Sequence, residues 1–279
     1  MEVILKGLVV GSSMSIPGVS GGTMAILLGI YNRLISAISN FTKDVKGNLL
    51  FLGKFCLGAV VGIGTLSFAL KWLLEVVPLP VAFFFLGVVV GGLPALYKET
   101  KQSRFRVSSA LFILLGLVVV VGIGFIPTGM LSFSSITDFQ SVIMCLVAGI
   151  VIAIALILPG ISTSHMLIVL GMYQATLTAI TEFDIPFLAL LVVSTLIGIV
   201  LTTKPLAWLM ERFPHQTYCI IMGFVIGSVT EIFTGIILPA VPASADVLWW
   251  VTTVIAAVLA FVLGLFGILW VARVSNHGE

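Results

Sequence analysis

Apolar residues in this chain do not alternate with polar ones. They run in long blocks, 49–74, 80–97, 107–126, 187–210, 216–237 and 247–271, divided by short polar stretches. Coiled as a helix rising 1.5 Å per residue, each block is long enough to cross a hydrocarbon layer about 30 Å thick. Two further apolar stretches, 3–39 and 141–181, break midway at proline, glycine and hydroxyl residues. The first break opens PGVSGGTMAILLGIY (17–31), and the second, 142 residues later, opens PGISTSHMLIVLGMY (159–173).

The similarity is not confined to the breaks. Between 17–38 and 159–180, ten of 22 positions are identical, among them Pro17/Pro159, Gly18/Gly160, Ser20/Ser162, Gly29/Gly171 and Tyr31/Tyr173. After a shorter second linker the match resumes, FLGKFCLGAVVGIGTLSFALKWLLEVVP (51–78) over FLALLVVSTLIGIVLTTKPLAWLMERFP (187–214), pairing Trp72 with Trp208, Glu75 with Glu211 and Pro78 with Pro214. The expected organisation is two homologous repeats, 1–127 and 140–273, an arrangement common among transporters.

Charge then orients the pattern. Arg33, Lys43, Lys46 and Lys54 surround the first linker and KETKQSRFR (98–106) is strongly basic, whereas 127–139, 181–186 and 238–246 carry no Lys or Arg and hold Asp138, Glu182, Asp184 and Asp246. Under the positive-inside rule the basic loops and both termini are cytoplasmic and the acidic loops external. If each interrupted stretch dips into the membrane and returns, each repeat crosses three times, an odd number, and the repeats are inverted. The predicted fold is an all-α polytopic membrane protein of two inverted repeats, each a re-entrant helical hairpin (3–39, 141–181) plus three transmembrane helices; full spans in place of the hairpins remain the alternative.

Composition agrees: 60% of residues are hydrophobic and 9% charged, against roughly 25% charged in soluble domains. The first 16 residues superficially resemble a secretory signal, but they belong to the first repeat, which argues against removal. Three scattered cysteines in apolar runs read as packing, without a disulfide or a metal site.

At each break the proline ends the descending helix, the glycines allow a turn, and a new helix is expected from about Thr23 and His165, running on to 39 and 181. Its first amides, with the hydroxyls of Ser20, Thr23, Ser162, Thr163 and Ser164 and the backbone of Gly21 and Gly22, would suit an anion at the midplane. The alternative is that the hydroxyls cap their own helices and the small residues only permit close packing. His165 is the one titratable group on a tip, able either to carry a proton or only to hydrogen-bond. Glu231 lies inside its span and is a second candidate proton carrier. Arg33, Lys54 and Lys204 lie toward the cytoplasmic ends of their spans, where they would either contact a headgroup or anchor the chain by snorkelling. Lys71 and Glu75, a helical turn apart, could neutralise each other.

The paired motifs and the duplicated layout resemble the bacterial membrane family once catalogued as a domain of unknown function and now associated with PopT-type undecaprenyl-phosphate translocation; the second motif departs from the family pattern at Thr163 and His165. The resemblance implies a transporter that returns the polyprenyl (undecaprenyl) phosphate carrier of cell-wall synthesis from the outer to the inner leaflet of the bacterial cytoplasmic membrane. Membrane lipids and that phosphate would be its partners, with no nucleic acid, cofactor or metal. A transporter of a small soluble anion fits the hairpins on physics alone. A polyprenyl-pyrophosphate phosphatase, which has similar motifs, would need an arginine where Gly21 and Thr163 stand, and paired carboxylates that are missing beside both motifs; no catalytic residues are expected.

Overall fold

The computed structural model describes residues 1–14, 19–101, 107–128, 139–242, 244 and 246–276. Pro17, Gly18, Asp138 and residues 102–106 of the basic loop lie outside them. Among the described residues there is no strand, and seven helices are long and apolar enough to cross a membrane.

The chain begins with α1 (Glu2–Ser13), and two short helices follow the first motif, α2 (Gly21–Leu27) and α3 (Tyr31–Ser39). Three long helices come next, α4 (Val45–Val76), α5 (Pro78–Glu99) and α6 (Val107–Gly124). The order then recurs with α7 (Phe139–Ile157), α8 (Thr163–Val169), α9 (Tyr173–Glu182), α10 (Ile185–Arg212) and α11 (Pro214–Gly227). Short α12 (Val229–Ile232), a π-helical stretch at Phe233–Ile237 and α13 (Leu238–Ala240) carry the eleventh helix onward, and α14 (Val247–Asn276) closes the chain.

Local chemistry sets these ends. Pro78 and Pro214 each sit in the first turn of their helix, where a missing N–H costs nothing. Ser20 and Ser162 are N-caps whose Oγ accept from the backbone N–H of Thr23 and His165, so the helices start at Gly21 and Thr163, two residues before the expected positions. Neither helix runs on to 39 or 181. Gly29 and Gly171 take φ of 68° and 71°. Around them Gly29 N–H donates to Ile26 O and Ile30 N–H to Ala25 O, with the same pattern from Gly171 to Ile168 O and Met172 to Leu167 O. These are Schellman C-caps, which stop a helix where only glycine adopts the left-handed conformation cheaply. After the first, the chain turns by 114° between α2 and α3. The predicted single return helix is therefore two. The predicted span 216–237 lies within one apolar stretch, Pro214–Ala240, long enough to cross a membrane, and its winding changes where α11 ends at Gly227 and where it becomes π-helical at Phe233–Ile237.

Four helix pairs hold the molecule together: α1 with α4, α7 with α10, α5 with α14, and α6 with α11. Glycines let the backbones approach, as small residues do where lipid gives no hydrophobic drive to association. Gly7 and Gly11 lie against the carbonyls of Phe55 and Ala59, and Gly58 and Gly62 against those of Ile4 and Leu8. Gly116 and Gly223 face each other between α6 and α11, with a Cβ built on Gly116 falling 3.1 Å from the Cα of Gly223. The first stretch thus gives its last helix, α6, to α11 of the second, and receives α14 in return.

Large apolar side chains cover the outside, including Leu57, Val60, Leu111, Val118, Leu196, Leu259 and Leu263, all exposed. Such a surface is tolerable only against lipid. The protein is a multi-pass membrane protein. Among the described residues the ion pair formed is Glu2–Lys6, at 2.8 Å. Lys71 and Glu75 are both exposed and do not pair, since neither is confined and solvent or headgroups serve both. All three cysteines are free thiols, two of them buried.

Candidate functional site

The two motif tips touch. Gly160 N–H donates to Ser20 Oγ at 2.9 Å across 140 residues of sequence. A Cβ added to Gly22 would lie 3.1 Å from the Cα of Pro159. Behind this contact the hydroxyl of Tyr31 donates to Ile157 O at 2.8 Å, holding the start of α3 to the last turn of α7. Gly160 has φ of 84°, and its Cα faces the carbonyl of Phe224 on α11 with no space for a side chain. That position requires glycine for both reasons.

At the junction lies a cavity of about 680 Å³. Its apolar walls come from α6 (Val120, Val121), from Phe125 just beyond that helix, and from α7 (Ala155, Leu156). Its polar face comes from Ser20 and Gly21 on the first tip, from Ser162, Thr163, Ser164 and His165 on the second, and from Tyr173, Thr230, Glu231 and Thr234. The cavity reaches the end of α6 at Phe125, which is exposed.

The two tips contribute unequally. Ser20 Oγ accepts from Thr23 N–H at 3.1 Å and from Gly160 N–H at 2.9 Å, and shares a 2.8 Å bond with the Thr23 hydroxyl. Two lone pairs and one proton are thereby used, so Ser20 pins the tips and has little left for a ligand. Thr23 is fully buried, and neither it nor Gly22 lines the cavity. On the second tip Ser162 Oγ accepts only from His165 N–H, at 3.3 Å. Among the described residues Thr163 and Ser164 have no hydrogen-bond partner for their side chains. Among the described residues His165 Nε2 is buried without a partner, and an unsatisfied buried nitrogen is a costly state.

The other expected basic contacts lie elsewhere. Arg33 donates from Nη1 to Asn48 Oδ1 at 3.0 Å and stacks over the Phe51 ring, 4.7 Å from its centroid. Lys54 is exposed on α4. Lys204 is exposed and borders a separate cavity of about 330 Å³ with Ser39, Thr42 and Val200. Among the described residues neither cavity is lined by a cluster suited to a metal ion.

Sequence reasoning did not single out Tyr173, Thr230 or Thr234. Tyr173 carried a signal, since it pairs with Tyr31 in the repeated motif. Thr230 and Thr234 flank Glu231 at helical spacing, and the polar run VTEIFTG inside an apolar span was the corresponding clue.

A family model described as VCA0040-like, undecaprenyl phosphate translocase-like, matches residues 10–245. A polyprenyl-phosphate transporter of Staphylococcus aureus is 30% identical over 286 aligned residues, covering 99% of this chain and 97% of that protein. A polyprenyl-phosphate transporter of Vibrio cholerae is 29% identical over 247 residues, covering 84% of this chain and 77% of its own length. No solved structure matches the chain. The family and both relatives are described by transport and not by catalysis, so the phosphatase reading falls away.

Proposed function

The chain belongs to the undecaprenyl phosphate translocase-like family, and from that premise we propose that it carries a polyprenyl phosphate across the membrane, with the phosphate held in the cavity where the two motif tips meet. The observation that carries the proposal is a polar tip, Ser162 to His165, with an unpartnered buried imidazole nitrogen, opening into an otherwise largely apolar cavity. A phosphomonoester has a charge of about −1.5 to −2 near neutral pH, and hydrocarbon alone excludes it. A polar pocket removes most of that barrier, while the isoprenoid tail stays against lipid.

Direction follows from sidedness. The cavity reaches the end of α6 that leads into the acidic loop 127–139. With acidic loops external, a headgroup would load from the outer leaflet and leave toward the cytoplasm for reuse in cell-wall synthesis. On this reading the two repeats are inverted and the tips are re-entrant. Inward movement of an anion works against about 2.3 kcal/mol per charge per 100 mV, so a proton or cation moving with it, or consumption of the product, must supply the difference. His165 and Glu231, both in the cavity, are the proposed proton carriers. Lys204, with Arg33 and Lys54, would meet the headgroup on the cytoplasmic side.

The test is reconstitution of the pure protein in liposomes with undecaprenyl phosphate in one leaflet. The expected result is protein-dependent movement of the phosphate head to the other leaflet. Absence of lipid movement together with uptake of a small soluble anion would overturn the lipid assignment.

A further inference from the structure

We infer that a hydrogen-bonded chain of Tyr218, Asn32 and Glu99 is a gate that shuts the transport path on the side opposite the cavity; the inference rests on the transporter reading above. The hydroxyl of Tyr218, buried near the start of α11, donates to Asn32 Oδ1 at 2.9 Å. Asn32 Nδ2 in turn donates to Glu99 Oε2 at 3.2 Å, at the last residue of α5. Asn32, second residue of α3, thus ties that helix to one partner from each stretch. An amide suits the place because it accepts on one side and donates on the other.

Position along α11 makes the chain a closure. Tyr218 comes first, Phe224 next against Gly160 at the tip contact, and Thr230 and Glu231 last on the cavity wall. Tyr218 and Thr230 are roughly 18 Å apart at 1.5 Å per residue. A headgroup that enters at the Phe125 end and crosses to the side of Lys98 and Lys101 has to pass the tips and then this chain. The second stretch is built otherwise at the same positions. Tyr173 and Gln174 match Tyr31 and Asn32, yet among the described residues neither side chain has a hydrogen-bond partner, and Tyr173 lines the cavity. At the spacing that pairs Pro78 with Pro214, Glu99 falls opposite Gly235, also on the cavity wall. One stretch is latched where the other is open. The latch is releasable, because Asn32 and Glu99 are exposed and water can replace the bond between them at little cost.

The experiment follows maleimide labelling of the full chain in detergent, in a Cys56→Ser background that removes the exposed native thiol. Ser164→Cys reports on the open cavity. Ser13→Cys, at a buried position opposite Ala155 at the spacing of the two motifs, reports on the closed side. Tyr218→Phe and Asn32→Ala, each checked for a cooperative melting transition, should speed labelling of Ser13→Cys by about threefold or more and slow that of Ser164→Cys, since opening one side closes the other. A chain that only braces the fold would speed both positions together or change neither; either result, or the reverse change, overturns the inference. If one variant fails to fold the other decides, and failure of both shows a bond the fold cannot release and overturns the inference as well. Labelling involves no lipid, so its failure leaves the proposed function standing, whereas absence of lipid movement in liposomes removes the cargo and leaves the gate to the labelling result.

Discussion

Ser20 and Ser162 occupy matching positions and do different work. Ser20 serves two backbone donors, one of them Gly160 on the opposite tip, while Ser162 serves only His165 N–H. Ser20→Ala should therefore lower stability by about 1–2 kcal/mol, from a lost cap and an orphaned N–H. Ser162→Ala should cost about 1 kcal/mol or less while weakening phosphate binding more. Thermal unfolding and lipid titration of both variants check this, and equal losses of stability would contradict the pinning role. Two polar side chains of the cavity wall carry opposite expectations. His165→Gln removes an imidazole from the polar tip and should weaken phosphate binding, whereas Glu231→Gln removes a carboxyl that an anion would have to approach and should leave binding equal or tighter. Lipid titration of both variants checks this, and tighter binding by His165→Gln would contradict the placement of the phosphate. The sequence suggested a site built from both tips, with the histidine on the second. What it did not convey is that Ser20 would be consumed by a contact 140 residues away, because a capping serine and a ligand-binding serine look alike until the partner is seen.

At the scale of the helices, the boundaries at Pro78, Pro214, Ser20 and Ser162 were legible or nearly so, since each rests on local chemistry. The breaks at Gly29 and Gly171 were also written locally, in LGIY and LGMY, yet a continuous apolar run outweighed them in the reading. Gly29→Ala and Gly171→Ala should each cost about 1–2 kcal/mol, as the left-handed conformation penalises a Cβ. Unchanged melting temperatures in both would mean that these turns are not held as described. The π-helical stretch at Phe233–Ile237 had no comparable mark. Its residues suit an ordinary helix, and packing against neighbours decides the winding that accompanies Glu231 lining the cavity.

For the whole molecule, hydrophobic blocks and composition conveyed a helical membrane protein, because block length against bilayer thickness is a global constraint. The exchange of α6 and α14 between the two stretches was not legible, since each is uniformly apolar and would pack acceptably on several partners. Glycines choose the partner: only matched small residues let α6 approach α11 as closely as Gly116 and Gly223 do. Gly223→Leu should force these helices apart and cost about 1–3 kcal/mol, the range for overpacking, with loss of a monodisperse peak in detergent as the readout. The central claim, that the cavity between the tips holds a lipid phosphate, is tested most directly by an experimental structure with undecaprenyl phosphate bound. The account predicts the phosphate within hydrogen-bonding distance of His165 Nε2 and the Ser162 hydroxyl; a phosphate resting instead beside Lys204, with the tip cavity empty, would contradict it.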